Sequence, residues 1–511
     1  MEMTLGEAFA RSARKFPDKT ACMDDEKSIT YGRMNERVNR WAQAAIGLGL
    51  EKGRHVATLA NNCLALMEVY LGNLKCGLVT VPIDARATLQ DKCYQAEFTD
   101  NDVLIFHSDF SGTVEEMRSR LPQIKTFVCL GGNCPSFALD YEKLLRQGQG
   151  KEPEIPLVEE DEAFILFTGG TTGRSKGAIL THKNLLWNII CVTTENQSPT
   201  PEDSVYYPMQ MYHTAALSRF LAYMYAGGTF IGSKTFNPDT YLDVVEKERT
   251  TFIVGNPTIF RMLLEANIKR PRDTSSMKRW FCSQGFLHPD LKEDIQKYLW
   301  PNGELYGSYA LTEASPAVTV LKPTDRPRQW GSVGRPYMCT EVRIVDESDQ
   351  DMPVGEEGEI IVRGPTVFKG YYKNPGETAR TLRGGWLHTG DVGRYDDLGY
   401  LYMVDRIKDM IKTGGINVFC CEIEEVLSRH PDISEGVVIG VPHVKWGESI
   451  RAIVVPKKGA QLSEADVIEH CRCHLASHKK PTSVIFLEEL PKGTFGGKVL
   501  KRILREQYGK E

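Results

Sequence analysis

The chain has 511 residues, 41% apolar and 25% charged, with a formal net charge of −5. Such a composition is that of a water-soluble globular protein, and the acidic balance argues against a surface that coats nucleic acid. No apolar run approaches the roughly 18 residues needed to cross a bilayer, and the length suggests about three folding units. Thirteen cysteines are scattered without a framework, and no signal-peptide pattern opens the chain, so a reduced, cytoplasmic setting is expected.

Residues 1–130 alternate strand and helix. A short strand is expected at 28–31, followed by a helix with Asn35, Val38, Trp41, Ala44, Ala45 and Leu48 at helical spacing. Lys52-Gly53 then turns the chain into a strand at 55–59, a helix at about 64–75 and a strand at 78–82. This rhythm predicts a parallel, doubly wound sheet. Residues 131–160, with Pro135, Gly148, Gly150, Pro153 and Pro156, read as a connector, and no internal repeat stands out.

The next stretch, residues 167–177, reads FTGGTTGRSKG between the β-prone run 163–167 and the apolar stub 178–180. Its glycines let backbone N–H groups converge on anionic oxygens, its hydroxyls add donors, and Arg174 and Lys176 add charge. It is a loop able to wrap a polyphosphate, yet it is not a Walker A motif, because Gly-Lys-Ser/Thr does not follow at the required spacing. A mobile surface loop is the bland alternative for such a segment taken alone.

Alternation resumes beyond it. A helix is expected at 182–194, and His213 follows the segment 205–212; an isolated histidine beside apolar residues is ordinarily structural. A strand at 251–254 runs into Gly255-Asn256-Pro257, the usual place for a ligand-facing turn in an open α/β sheet. Residues 280–286 repeat that form. At 305–313 a strand ends in Thr312-Glu313 with Tyr309 four residues before the carboxylate. The aromatic can stack on a base, the hydroxyl can bind phosphate, and the carboxylate can hold Mg²⁺. Residues 331–404 carry short strands with Gly/Pro punctuation, which suggests a small β-barrel-like subdomain. Asp391, after a glycine, suits a ribose diol. Residues 409–511 read as an α+β domain with helices at 421–430 and 464–476 and strands at 436–440, 450–455 and 483–487. Lys498 on its Gly-rich turn can reach across a domain gap. His470, Cys471, Cys473, His474 and His478 read as a polar helix rather than a zinc site.

Taken together these strings resemble the adenylate-forming superfamily, the acyl-CoA synthetases, adenylation domains and luciferases, over nearly the whole chain and in the family's order. Gly169 and Ser175 depart from the commonest phosphate-loop pattern, Gln210 stands where Pro is usual, Gln284 and Phe286 replace smaller residues, and Ala310 replaces Gly. The resemblance implies an N-terminal adenylation domain at 1–404, including the β subdomain at about 331–404, and a mobile C-terminal domain at 405–511 hinged at about 405–408. It assigns Thr168, Gly169, Gly170, Thr171, Thr172, Gly173 and Lys176 to the β/γ-phosphates, with Thr168, Glu313 and Lys498 as the catalytic set. Glu313 is the Mg²⁺ ligand, Tyr309 and Thr312 meet the nucleotide, and Asp391 and Arg406 hold the ribose. Lys408 is the pivot, Gly414-Gly415 lies near the pantetheine arm, and His213, Ser283, Gly285 and Ala310 line the acid site.

The implied reaction is carboxylate plus ATP giving acyl-AMP and pyrophosphate, then acyl-AMP plus CoA giving thioester and AMP. ATP, Mg²⁺, CoA and a small carboxylic acid are the expected partners; nucleic acid is not, and homo-oligomer formation stays open. Ala215, Ala216, Leu217, Phe220 and Tyr223 suggest an apolar pocket for a medium-sized aliphatic or cyclic (fatty) acid, with aryl acids the nearest alternative. Loading of a carrier protein is a rival reading, but such enzymes use an acidic residue for the amino group close to where this chain has His213, and no carrier-type Ser segment follows Lys498. A luciferase-type oxygenase and a nucleotide-binding pseudo-enzyme are the others.

Overall fold

The strands expected at 55–59 and 78–82 form as His55–Leu59 and Val79–Pro82 and pair in parallel, Val56 opposite Thr80. The structure, a computed structural model, describes residues 3–168, 174–196, 198–283, 287–325, 331–492 and 499–509, the Asn417 side chain excepted. It divides into two units, Met1–Val342 with Val362–Leu387, and Arg343–Ile361 with His388–Glu511.

The first unit holds two sheets. The eight-stranded sheet runs Gly370–Tyr371, Lys176–Thr181, Glu162–Thr168, Val79–Pro82, His55–Leu59, Val103–His107, Thr126–Leu130, Leu139–Asp140. Pairing is parallel from Glu162–Thr168 onward and antiparallel across the first two junctions. Helix Leu64–Cys76 is buried at almost every position, Glu68, Asn73 and Lys75 included, and it stops at Gly77 in the left-handed conformation. The connector at 131–160 contains helix Tyr141–Gln147, its N-terminus capped by the Asp140 carboxylate.

The nine-stranded sheet runs Arg335–Pro336, Ala317–Leu321, Glu304–Ala310, Arg279–Cys282, Phe252–Gly255, Ser204–Tyr207, Thr229–Gly232, Thr20–Met23, Ser28–Thr30. Residues 1–130 therefore do not share one sheet: Thr20–Met23 joins Thr229–Gly232 in parallel, Cys22 opposite Phe230. Strand Ser28–Thr30 ends one residue early, since Thr30 caps helix Tyr31–Gly47 by accepting the Arg33 N–H. Beside this sheet the fully buried Trp280, Trp300, Phe260 and Tyr241 form the core, with Phe260 edge-on to both indoles at 5.2 and 5.6 Å.

The second unit contains a four-stranded sheet of Glu341–Val345, Gly358–Arg363, Leu387–Tyr395 and Leu401–Arg406. Of the other strands expected in 331–404, Arg335–Pro336 edges the nine-stranded sheet and Gly370–Tyr371 the eight-stranded one. The 404/405 boundary falls inside Leu401–Arg406, which pairs antiparallel with Leu387–Tyr395, so residues 388–404 group with the C-terminal part. The remaining sheet is built on the long pair Ile433–His443 and Gly447–Pro456, to which Ser483–Phe486 adds in parallel. Helices Cys420–Ser428 and Glu464–His474 cover it through Ile423, Leu427, Val467 and Cys471.

Two of the scattered cysteines, Cys191 and Cys339, form a disulfide across 148 residues. That separation leaves no spacing signal in the sequence, and the expectation of unpaired thiols is corrected at these two positions. No helix among the described residues is long and apolar enough to cross a membrane.

Candidate active site

The glycine-rich segment lies between the arms of an antiparallel hairpin, Glu162–Thr168 and Lys176–Thr181, with Thr168 opposite Lys176. Residues Gly169, Gly170, Thr171, Thr172 and Gly173 lie outside the described residues. The arms are held firmly. A Cβ at Gly177 would sit 2.7 Å from Ile165 Cγ2, so the close approach of the strands requires glycine there. Tyr94 donates its hydroxyl to the Ser175 carbonyl at 3.2 Å, and the Arg174 guanidinium lies 4.9 Å from the Tyr94 ring. After the hairpin, Thr181 caps helix His182–Glu195 reciprocally with Asn184, whose amide donates to the Pro365 and Val367 carbonyls.

That last link brings residues 365–377 beside the hairpin. Lys369 and Tyr372 donate backbone N–H groups to Ile179 and Gly177, and Phe368 donates to the Glu313 carbonyl. Five side chains then converge. The Tyr371 hydroxyl donates to Glu313 Oε1 at 2.8 Å, Lys176 Nζ lies 5.1 Å from the Tyr371 ring centroid, and Lys176 is ion-paired with Glu377, which also pairs with Arg380. The Lys176 ammonium holds the Glu377 carboxyl below its ordinary range, more strongly than burial lifts it. Burial first, and the Glu313 carboxylate second, push the Tyr371 phenol up, so it stays a donor. The sequence reading missed both Tyr371 and Glu377. The only signal was the turn-and-helix start at Asn374-Pro375, which carries no chemistry.

The residues expected at the acid site sit along one sheet edge. Strands Ser204–Tyr207, Phe252–Gly255, Arg279–Cys282 and Glu304–Ala310 are parallel neighbours, so their C-terminal ends present His213, Asn256, Ser283 and the 309–313 segment in order. This is the edge at which open α/β sheets bind ligands. Gln210, which stands in for the expected Pro, is fully engaged: its Oε1 accepts the Asn62 N–H at 2.7 Å and its Nε2 donates to the Ser233 and Lys234 carbonyls. Burial pushes the His213 imidazole pKa down and favours the neutral ring, with Asp84 pulling the other way. His213 is the N-cap of helix Thr214–Ala226, and the Thr214 hydroxyl bonds the Thr312 hydroxyl at 2.8 Å. A continuous run of contacts thus joins Thr214, Thr312-Glu313, Tyr371, Lys176 and Glu377. Ser283 donates its N–H to the Gly255 carbonyl, Ala310 is exposed, and Tyr309 is 5% exposed. Gly285, with Gln284 and Phe286, lies outside the described residues.

One expectation is corrected. Phe220 and Tyr223 are fully buried and pack on Phe230 and Phe252 at 5.3 and 6.5 Å between ring centroids, and Ala216 and Leu217 are buried with them. They are core residues because helical spacing turns them to the sheet, not to its edge.

In the second unit, Asp391 and Arg406 are opposed across the strand pair, Arg406 Nε 2.9 Å from Asp391 Oδ1. Gly390 adopts φ +71° and its carbonyl accepts the Ile407 N–H. Lys408 follows; loss of hydration and then the adjacent Arg406 charge pull its pKa down. Asp409 is anchored by Arg505 Nη2 at 2.8 Å. Gly414 and Gly415 form the tip between Ile411–Thr413 and Ile416–Val418 with φ +59° and +80°, a two-residue turn that demands glycine, and Gly414 donates to the Trp446 carbonyl. Lys498 lies outside the described residues; its flanks, Lys492 and Val499, are bridged. His470 gives its Nε2 to the Val426 carbonyl at 3.0 Å, beside the His430 ring.

The chain matches the family model described as "AMP-binding enzyme" over residues 9–372 and that described as "AMP-binding enzyme C-terminal domain" over 422–498. It is 34% identical over 507 residues to a feruloyl-CoA synthase of Amycolatopsis sp., covering 99% of each chain. It is 32% identical over 480 residues to the long-chain-fatty-acid–CoA ligase FadD13 of Mycobacterium tuberculosis, covering 94% of this chain and 93% of that one. Among solved structures, ATP-bound MatB from Rhodopseudomonas palustris matches with a TM-score of 0.88 at 30% identity over 99% of both chains.

Proposed function

The chain belongs to the AMP-binding enzyme family and is an AMP-forming acyl-CoA synthetase, an acid–thiol ligase using ATP; from that premise we propose that it joins a medium-sized carboxylic acid, aliphatic or cyclic, to CoA. The observation that carries the site assignment is the contact run from Thr214 through Thr312-Glu313 and Tyr371 to Lys176. It ties the acid-side turn to the phosphate-side lysine.

The first step forms a bond between a carboxylate oxygen and the α-phosphorus and expels pyrophosphate; the second forms a carbon–sulfur bond and expels AMP. The first is opposed by repulsion between two anions, so preorganised cations lower its barrier. Lys176 with the hairpin grips the β/γ-phosphates, and Lys498 stabilises charge developing at the reacting carboxylate and α-phosphate. His213, neutral and half-buried at the helix N-terminus, orients the acid without adding charge. Asp391 and Arg406 hold the ribose diol, and rotation at Lys408 withdraws Lys498 and brings Gly414-Gly415 near the pantetheine arm. Mg²⁺ suits the Glu313 corner by donor type, a carboxylate beside the Thr312 and Thr214 hydroxyls, all hard oxygens. When bound it would neutralise phosphate charge there.

A second reading, an aryl acid, is favoured by the feruloyl-CoA synthase likeness. The test is kcat/KM for CoA-dependent AMP release across straight-chain, cyclic and cinnamate-type acids. Preference for aliphatic or cyclic acids supports the proposal; preference for hydroxycinnamates overturns it in favour of the second reading. Turnover with a carrier protein but not with CoA would overturn the acceptor.

A further inference from the structure

Lys176 is not presented as a bare cation. Its ammonium is paired with the Glu377 carboxylate, both side chains being largely buried, at 17% and 20% exposure. Glu377 is itself divided between two cations, since Arg380, one turn further along helix Pro375–Thr381, takes its other oxygen. The helix is fixed to the hairpin: Asn374 caps it by accepting the Glu377 N–H at 3.2 Å, and the Thr378 hydroxyl accepts the Tyr371 N–H at 2.9 Å. Below the pair lies the Tyr371 ring, whose hydroxyl is committed to Glu313. An anion is thus already bound to the cation assigned to phosphate, and that anion has a second partner ready.

We propose that Glu377 is a built-in competitor for the phosphate-binding lysine, a positioning residue that holds Lys176 when no phosphate is present and passes to Arg380 when one arrives. This rests on the reading of Lys176 as a phosphate ligand. The consequence is thermodynamic. Any polyphosphate must displace a carboxylate from Lys176, so the pair weakens ATP and pyrophosphate alike and hastens loss of the pyrophosphate product. A ligase that makes pyrophosphate before its thiol substrate reacts gains from that, because retained pyrophosphate reverses the first step.

The test measures pyrophosphate binding directly by calorimetry and the KM for ATP, with melting temperature as the folding control. In Glu377→Gln, which keeps shape but removes charge, both constants should fall about threefold to tenfold. Glu377→Asp, which keeps the charge, should stay near the natural chain. Arg380→Ala removes the alternative partner and should move both constants the opposite way, by about threefold. Simple loosening of the helix would weaken binding in every variant. Unchanged or weaker binding in Glu377→Gln, with Lys176→Ala weakening both constants, overturns the inference and leaves the phosphate reading intact. If Lys176→Ala changes neither constant, the phosphate reading itself fails.

Discussion

Acid should loosen the mounting of the Glu162–Thr181 hairpin at one identifiable residue. His182 follows strand Lys176–Thr181 and opens helix His182–Glu195. It is 1% exposed, and its Nδ1 accepts the Leu5 N–H at 3.1 Å, so the other ring nitrogen carries the proton. Burial pushes its pKa down to about 4 from an ordinary 6.5, with Asp161 pulling the other way. The fold therefore binds the neutral ring. The stabilisation is complete above pH 6.5 and is lost as pH falls from there towards 4. The whole shift is worth roughly 3 kcal/mol, and about 2 kcal/mol of it is gone by about pH 5, where the exposed ring is protonated and the buried one is still neutral. His182→Asn keeps an acceptor for Leu5 and removes the titration. Hydrogen exchange of peptides covering residues 5–15 and 176–195 is the assay, corrected for intrinsic pH dependence. Between about pH 8 and pH 5 the natural chain should lose about 30-fold more protection than the variant. Equal losses in the two proteins would refute the reasoning.

Three further outcomes are expected. Lys498→Ala should cost adenylation on the order of 10²–10³ in rate while CoA transfer to supplied acyl-adenylate persists; equal loss of both half-reactions contradicts its role. Lys408→Pro should slow thioester formation much more than adenylation, measured by quenched-flow of each half-reaction, and equal slowing speaks against a pivot there. Glu313→Gln retains an acceptor for Tyr371 but not the charge, so the Mg²⁺ concentration giving half-maximal adenylation should rise on the order of tenfold; an unchanged Mg²⁺ dependence removes Glu313 as the ligand.

Much of this was legible in the sequence because the relevant signals are local. The hairpin arms, the strand into Thr312-Glu313 and the glycine pair at 414–415 each combine a periodic run with a turn residue whose conformation is restricted. What was hidden is pairing at long range. Nothing in the run 28–30 names residues 20–23 as its neighbour, nor in 20–23 residues 229–232, so the strand expected at 28–31 groups by sequence with those at 55–59 and 78–82 although it lies in the nine-stranded sheet. The same limit hid Glu377, which acquires meaning only when strand Gly370–Tyr371 adds to Lys176–Thr181 across nearly two hundred residues. Phe220 and Tyr223 were misread for a different reason: an apolar helix beside a site has the same composition whether it lines the site or fills the core.

In the proposed reaction order, the acid is activated as its adenylate before any thiol reacts. The most direct measurement mixes enzyme in excess with α-labelled ATP, Mg²⁺ and the preferred acid in the absence of CoA, then adds CoA. Acid-dependent, enzyme-bound acyl-AMP should accumulate to close to one equivalent and be discharged to thioester and AMP when CoA arrives. Label that appears as AMP regardless of acid, or acyl-AMP that CoA fails to discharge, would contradict it.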